Sequence, residues 1–247
     1  VKMWALRQAQ DDSPQQTNNF AIDWFENRLN EVKAEVDGLM KQFRLSEALK
    51  TIYSLIWDDF CSWYLEWVKP GFEQPIDKKI KEKTVGFFEQ LMQLLHPFMP
   101  FVSEEIYHLL NEQSDDLCVK QFPNNKQTDS TILQQTILLK ELITNIRDAK
   151  NKNQVKPKDK IKLHIQSQDG SVYRSIASIL SKQVNAETIN YVTEAVANCI
   201  NGVVQKDKFF IETETALDSA SQKTQLLKDL EYQKGFLVSV EKKLSNE

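Results

Sequence analysis

The sequence predicts a mainly α chain: a helical bundle, then a small α+β unit, then a C-terminal coiled-coil helix. Three observations carry this. Only 6 of the 247 residues are Gly and 7 are Pro, too few for the frequent turns of a sandwich, barrel or propeller. Up to about residue 150, apolar residues recur at three- and four-residue steps, the period of an amphipathic helix. Beyond it, short stretches alternate apolar and polar as half-buried strands do.

The elements follow in order. Phe20, Trp24, Val32, Val36, Leu39 and Phe43 mark a helix over about 20–43. Leu45, Leu49, Ile52, Ile56, Phe60, Trp63 and Trp67 mark the next, which Pro70-Gly71 ends because the residue before a proline leaves the helical region. Within it, Trp57, Trp63, Tyr64 and Trp67 are read as core. A third helix spans about 76–95 and stops at His96-Pro97. Ser103 is the predicted N-cap of a fourth, with Glu104 and Glu105 in the first turn, where the helix dipole favours acids. A polar loop, Asn124 to Ser130, precedes a fifth whose buried side carries Leu139, Leu142, Ile146 and Ala149.

After residue 150 the expected strands are Ile161–Ile165, Thr188–Val192 and Lys208–Ile211, with turns at Asp169-Gly170 and Asn201-Gly202 and a helix over Tyr173–Val184. From about 217, Leu226, Leu230, Leu237, Val240 and Leu244 fall on alternating four- and three-residue steps, the seam of a coiled coil. The expected organisation is a bundle over 1–140, a basic linker with the α+β unit over 141–214, and the first half of a coiled-coil arm over 215–247.

The net charge of −4, from 31 basic and 35 acidic side chains, argues against a uniformly basic nucleic-acid binder. The charge is uneven, however: residues 140–165 carry eight basic and three acidic groups in an otherwise acidic chain. Arg147, Lys150, Lys152, Lys156, Lys158, Lys160 and Lys162 form this island, which reads either as a solvated face or as a contact to a phosphate backbone. Cys61, Cys118 and Cys199 are dispersed, as reduced thiols are. The longest uncharged apolar stretch, Gln90 to Ser103, holds two prolines and is too short to span a bilayer. A cytoplasmic location is expected.

Catalytic signatures are sparse. No glycine-rich phosphate loop occurs. Glu105-Ile-Tyr-His108 has the E-x-x-H spacing of di-iron bundles, but the second such motif and the facing glutamates of that site are missing, so no metal site is assigned. Asp58-Asp59 and Asp115-Asp116 are adjacent pairs that a helix points apart, and they read as solvated surface.

Several stretches together resemble a known family. Ser46-Glu-Ala-Leu49, leading to Trp57-Asp-Asp-Phe-Cys-Ser-Trp-Tyr-Leu-Glu-Trp-Val-Lys-Pro70, resembles the anticodon-binding bundle of class I aminoacyl-tRNA synthetases. Leu94-Leu-His-Pro-Phe-Met-Pro-Phe-Val-Ser-Glu-Glu-Ile-Tyr107 resembles the helix pair that follows. Ile146-Arg-Asp-Ala-Lys150, Val155-Lys-Pro-Lys-Asp-Lys-Ile161 and the ending Lys242-Lys-Leu-Ser-Asn-Glu247 are similar to the valine-specific members. The resemblance covers essentially the whole chain. It implies a C-terminal tRNA-binding fragment of an enzyme that charges a valine-acceptor tRNA using ATP and Mg²⁺. The activating signatures of class I synthetases are absent, so the fragment is expected to be inactive alone, with no cofactor or catalytic residue of its own.

Such a fragment would hold the anticodon stem-loop by stacking splayed bases and neutralising phosphates. By the resemblance, Arg7, Trp24 and Arg28 are the expected loop contacts, with Trp24 alternatively a core residue and the arginines alternatively surface ion pairs. Lys150, Lys152, Lys156 and Lys158 are the expected contacts to the tRNA body. The parent is expected to be a monomer, while the fragment can self-associate through its unpaired heptad helix. Two rivals stand beside this reading: a coiled-coil interaction scaffold, and a metal-dependent bundle enzyme.

Overall fold

The structure, a computed structural model, describes residues 12–71, 73–110, 115–121, 127–167, 170–213 and 219–244. Helix α1 (Asp12–Lys41) buries Ala21, Ile22, Trp24, Phe25, Leu29, Val32 and Val36 along one stripe. Its end is a Schellman turn, in which Arg44 N–H donates to Leu39 O at 2.9 Å and Phe43 N–H to Met40 O at 3.0 Å. Phe43 holds the left-handed position of that turn with φ 59°, a place that usually falls to glycine.

Helix α2 (Leu45–Ser54), a π-helical segment (Leu55–Tyr64) and α3 (Leu65–Val68) follow one another without a break. In π winding each N–H reaches the carbonyl five residues back, so the turn is wider than in an α-helix. The buried positions accordingly run Ala48, Ile52, Leu55, Asp59 with Phe60, Tyr64 and Trp67. The α-helical register expected from the sequence fails here: Leu45 and Leu49 are exposed, Trp57 is 59% exposed, and Ile56 and Trp63 are only partly buried. Lys69, before Pro70, turns extended (ψ 124°) and ends the rod as anticipated.

Asp77 caps α4 (Lys78–Leu95), its Oδ1 accepting from the Lys79 and Ile80 N–H groups at 2.8 and 3.2 Å. The next helix, α5 (Pro100–Leu110), begins three residues before the expected N-cap, with the fixed φ of Pro100 suited to a first turn. Ser103 is therefore an interior residue, fully buried, whose Oγ lies 2.8 Å from both Met99 O and His96 Nδ1. A single 3₁₀ turn, Leu117–Val119, seats Leu117 in the core. Helix α6 (Ser130–Lys152) starts on an Asp129 cap and buries Leu138, Leu139, Leu142, Ile143 and Ile146. Helix α1 packs against α2, α3, α4 and α6.

The four-stranded sheet has the order β2-β1-β4-β3. Strand β1 (Ile161–Gln166) pairs parallel with β2 (Ala186–Val192) across a crossover made of α7 (Ser171–Arg174) and α8 (Ala177–Val184). Strand β4 (Asp207–Glu212) runs antiparallel to β1 and to β3 (Ile200–Val204). Ile161, Leu163 and Ile165 alternate into the core as expected. Asn201-Gly202 is no turn: it lies within β3, and the hairpin reverses at Gln205-Lys206, with Gln205 at φ 53°. Gly202 sits opposite Phe209, whose ring would be 2.2 Å from an added Cβ, so the ring occupies the space a side chain would need. The expected Asp169-Gly170 turn falls partly outside the described residues.

The sheet unit and the helices are joined by direct bonds. Lys182 Nζ donates to Trp67 O and Lys69 O at 3.3 and 2.6 Å, and Gln183 Nε2 to Glu66 O at 3.3 Å. These supply donors that α3 lacks at its carbonyl end. Helix α9 (Ser219–Leu244) is the last element described, and every side chain described on it is exposed. Among the described residues no helix is long and apolar enough to cross a membrane.

Candidate nucleic-acid interface

The centre of the helical part is aromatic. The Trp24 and Trp67 rings lie 4.7 Å apart, and Phe25 meets Phe60, Tyr64 and Phe87 at 5.2, 5.0 and 5.1 Å. Trp24 is 1% exposed, which corrects its expected role: no face of the indole is open to a base. Lys140 also covers it, with Nζ 4.6 Å over the Trp24 ring and 5.4 Å from the Trp63 ring. The same ammonium donates to Asp59 Oδ1 at 2.6 Å, while Arg28 Nε donates to Asp59 Oδ2 at 2.8 Å. Arg28 also reaches Glu31 through Nη1 at 2.6 Å.

Asp59 is thus a buried hub between α1, the π-helical segment and α6, and not the solvated surface expected of the Asp58-Asp59 pair. Burial pushes the Lys140 pKa down, against the pull of Asp59. Burial acts the same way on Arg28, but its hydrogen bonds to Asp59 and Glu31 outweigh it and raise the value. Arg28 retains 29% side-chain exposure and is held by two carboxylates at the surface of α1. Arg7 lies outside the described residues.

The basic island separates into three groups. Lys150 is 3% exposed, and its ammonium donates to Pro157 O, Asp159 O and Val184 O at 3.2, 3.0 and 3.3 Å. All three of its hydrogens have acceptors, and burial lowers its pKa despite Asp159. Lys150 is therefore an internal brace and not the expected phosphate contact. Arg147, Lys160 and Lys162 are engaged at the sheet unit, on Gln183, Glu187 and Glu212 respectively. Lys152, Lys156 and Lys158 remain exposed with no ion pair among the described residues. The loop that carries them is fixed by a second Schellman turn, in which Val155 N–H bonds to Lys150 O at 2.9 Å and Gln154 takes φ 59°.

A feature missed by the sequence reading lies on α2 and the π-helical segment. Leu45, Leu49, Tyr53 and Trp57 recur every fourth residue and are 49, 38, 61 and 59% exposed. Tyr53 and Trp57 stack with an interplanar angle of 11° and 6.4 Å between centroids. Phe43, 87% exposed, precedes this stripe at the α1–α2 turn. The signal was present in the sequence: this four-residue repeat runs beside the buried Ala48, Ile52 and Leu55 and so occupies a second face. Exposed apolar side chains in one stripe mark an interaction surface. A stacked aromatic pair offers π-faces of the kind unpaired bases use.

Comparison with known proteins bears on what such a surface serves. Residues 23–165 match the model of the anticodon-binding domain of tRNA ligase. The chain is 36% identical over 251 aligned positions to a valine–tRNA ligase of Parabacteroides distasonis, covering 100% of this chain and 28% of that protein. It is 39% identical to that of Porphyromonas gingivalis with the same coverage, and 32% identical to that of Listeria monocytogenes over 91% of this chain and 26% of that protein. The chain therefore spans little more than a quarter of the length of these relatives. The matched segment contains the aromatic core, the Asp59 hub, the exposed Tyr53–Trp57 pair and the basic loop, and by that match the chain belongs to the anticodon-binding domain family of tRNA ligases.

Proposed function

We propose that this chain is the tRNA-binding C-terminal region of a valine–tRNA ligase, holding the anticodon stem-loop of a valine-acceptor tRNA. Valine ligation would proceed on a catalytic domain elsewhere in the parent, using ATP and Mg²⁺; these 247 residues carry no phosphate-cradling glycine loop for the nucleotide. The observation that carries the reading is the exposed, stacked Tyr53–Trp57 pair within the segment that matches the family. Bases splayed from the loop would stack there, where Trp24 is unavailable. Arg7 and Arg28 stay in the proposed interface, with Arg28 set on the surface of α1 by its carboxylates. Lys152, Lys156 and Lys158 would neutralise backbone phosphates, on a loop that the Lys150 brace shapes. The proposed division is a bundle over 1–140, a linker with the α+β unit over 141–214, and part of a coiled-coil arm over 215–247, in a monomeric cytoplasmic parent.

Titration with a valine-anticodon tRNA and with anticodon variants tests this. Tyr53→Ala with Trp57→Ala should cost about 1–3 kcal/mol per stacked base lost. Converting Lys152, Lys156 and Lys158 to Glu should flatten the salt dependence by roughly 0.7–0.9 log units per tenfold salt for each phosphate contact removed. Equal affinity for every anticodon, undiminished by the aromatic double variant, would overturn the specific contact.

A second reading rests on α9, where Leu227, Leu230, Phe236, Leu237 and Val238 are 50–60% exposed. As an interaction scaffold, the chain would dimerise in a concentration-dependent way that vanishes on deleting 217–247, and it would bind no tRNA.

A further inference from the structure

The E-x-x-H motif on α5 does not form the pair that its spacing suggests, because Glu105 points to solvent. The residue before it does the work instead. Glu104 Oε1 lies 3.2 Å from His108 Nε2, one helical turn on, and Asp116 Oδ1 lies 3.1 Å from the same nitrogen. All three ligand atoms fall within 4.8 Å of one another. We propose that Glu104, His108 and Asp116 form a binding site for a borderline divalent cation of the zinc class, which clips α5 to the 3₁₀ turn.

The geometry fits such an ion. Bond lengths of about 2.0–2.2 Å in a tetrahedron place neighbouring donors roughly 3.3–3.6 Å apart, close to the two separations seen. One imidazole nitrogen and two carboxylates are a donor set for zinc-like ions, with a fourth position open to water. A single ring nitrogen facing two carboxylate oxygens has at most one proton for both, whereas a cation satisfies all three groups at once.

The third ligand is held in place independently of any ion. The segment bearing Asp116 is anchored by buried Leu117, by the Leu117 N–H donating to Glu104 Oε1 at 2.6 Å, and by Gln93 Nε2 donating to Lys120 O at 2.7 Å. Lys120 adds a bond to Tyr107 Oη at 3.0 Å, with its ammonium 4.7 Å over that ring. His96 stands behind the site, its Nδ1 3.9 Å from Glu104 Oε2. Outer partners of this kind orient a ligating carboxylate.

The test is calorimetric titration of the 247-residue chain with Zn²⁺ alone, paired with Co²⁺ binding followed by its visible absorption. One saturable equivalent per chain is expected, with the bands of a four-coordinate ion and a rise in melting temperature. His108→Ala and Glu104→Gln should each weaken binding by at least about tenfold. The Glu104→Gln variant keeps an acceptor for the Leu117 N–H, so it separates ligation from that structural bond. His164→Asn, on the sheet 3.3 Å from Glu212, should leave binding unchanged. Absence of saturable uptake at millimolar Zn²⁺, or uptake that survives His108→Ala in a folded variant, would overturn the site.

Discussion

Lys150 and Phe43 show how single residues in this chain serve positions that their chemistry does not announce. Lys150 belongs to a basic run, yet its ammonium closes a ring of three carbonyls and shapes the loop beside it. Lys150→Met keeps the aliphatic length and removes the donors, which should cost about 1–3 kcal/mol in urea denaturation. The same substitution at exposed Lys158 should fall within about 0.5 kcal/mol of the parent. Phe43 sits left-handed at φ 59° with its ring in solvent, so no buried contact repays the backbone strain. Phe43→Gly should therefore raise stability by about 0.5–1 kcal/mol, the left-handed penalty less the entropy glycine adds to the unfolded chain. Loss of stability on that change would mean that the ring packs on something the helix turn itself does not provide.

Among the elements, the sheet edge and the π-helical segment carry the sharpest consequences. Gly202→Ala places a methyl inside the Phe209 ring, and overpacking of this kind costs about 1–3 kcal/mol. Phe209→Leu in the same chain should relieve part of that cost in a double-mutant cycle. Glu212, across from β1, has its pKa held below the ordinary 4.5 by hydrogen bonds from Lys162 and His164. A depressed carboxylate stabilises the fold above its unfolded value and loses that contribution as pH falls through the folded one. Stability should thus decline below about pH 4.5 less steeply in Glu212→Gln than in the parent, as followed by denaturation across pH. In the π-helical segment the wide turn brings Asp59 and Phe60 inward together. Trp57 continues the exposed face of Leu45, Leu49 and Tyr53 at four-residue steps, which is why an aromatic that reads as core in the sequence stands in solvent in the fold.

For the whole molecule, the direct bonds from Lys182 and Gln183 to the end of α3 fix the sheet unit on the helices. Removing them with Lys182→Ala and Gln183→Ala should lower stability by about 1–2 kcal/mol. The secondary structure of both parts, followed by circular dichroism, should persist. Deleting 217–247 should remove any self-association seen by sedimentation while leaving the unfolding free energy within about 0.5 kcal/mol, because the side chains described on α9 are exposed.

Local periodicity, and the places where Pro and Gly interrupt it, were enough to read the mainly helical class, the run of helices before residue 150 and the inward phase of β1, but not β3, which occupies the place where Asn201-Gly202 was expected to turn. Sequence motifs also pointed to the family that residues 23–165 match. Which member of each chemical group faces outward was set by packing between distant parts of the chain. Trp24 went inward and Trp57 outward, Lys150 became a brace while Lys152, Lys156 and Lys158 stayed exposed, and Asp59 became a hub while Asp58 stayed in solvent. The reason is physical: burial of an aromatic or a charge depends on partners far away in the chain, such as Lys140 for Asp59 and Val184 for Lys150. A local pattern carries no record of them.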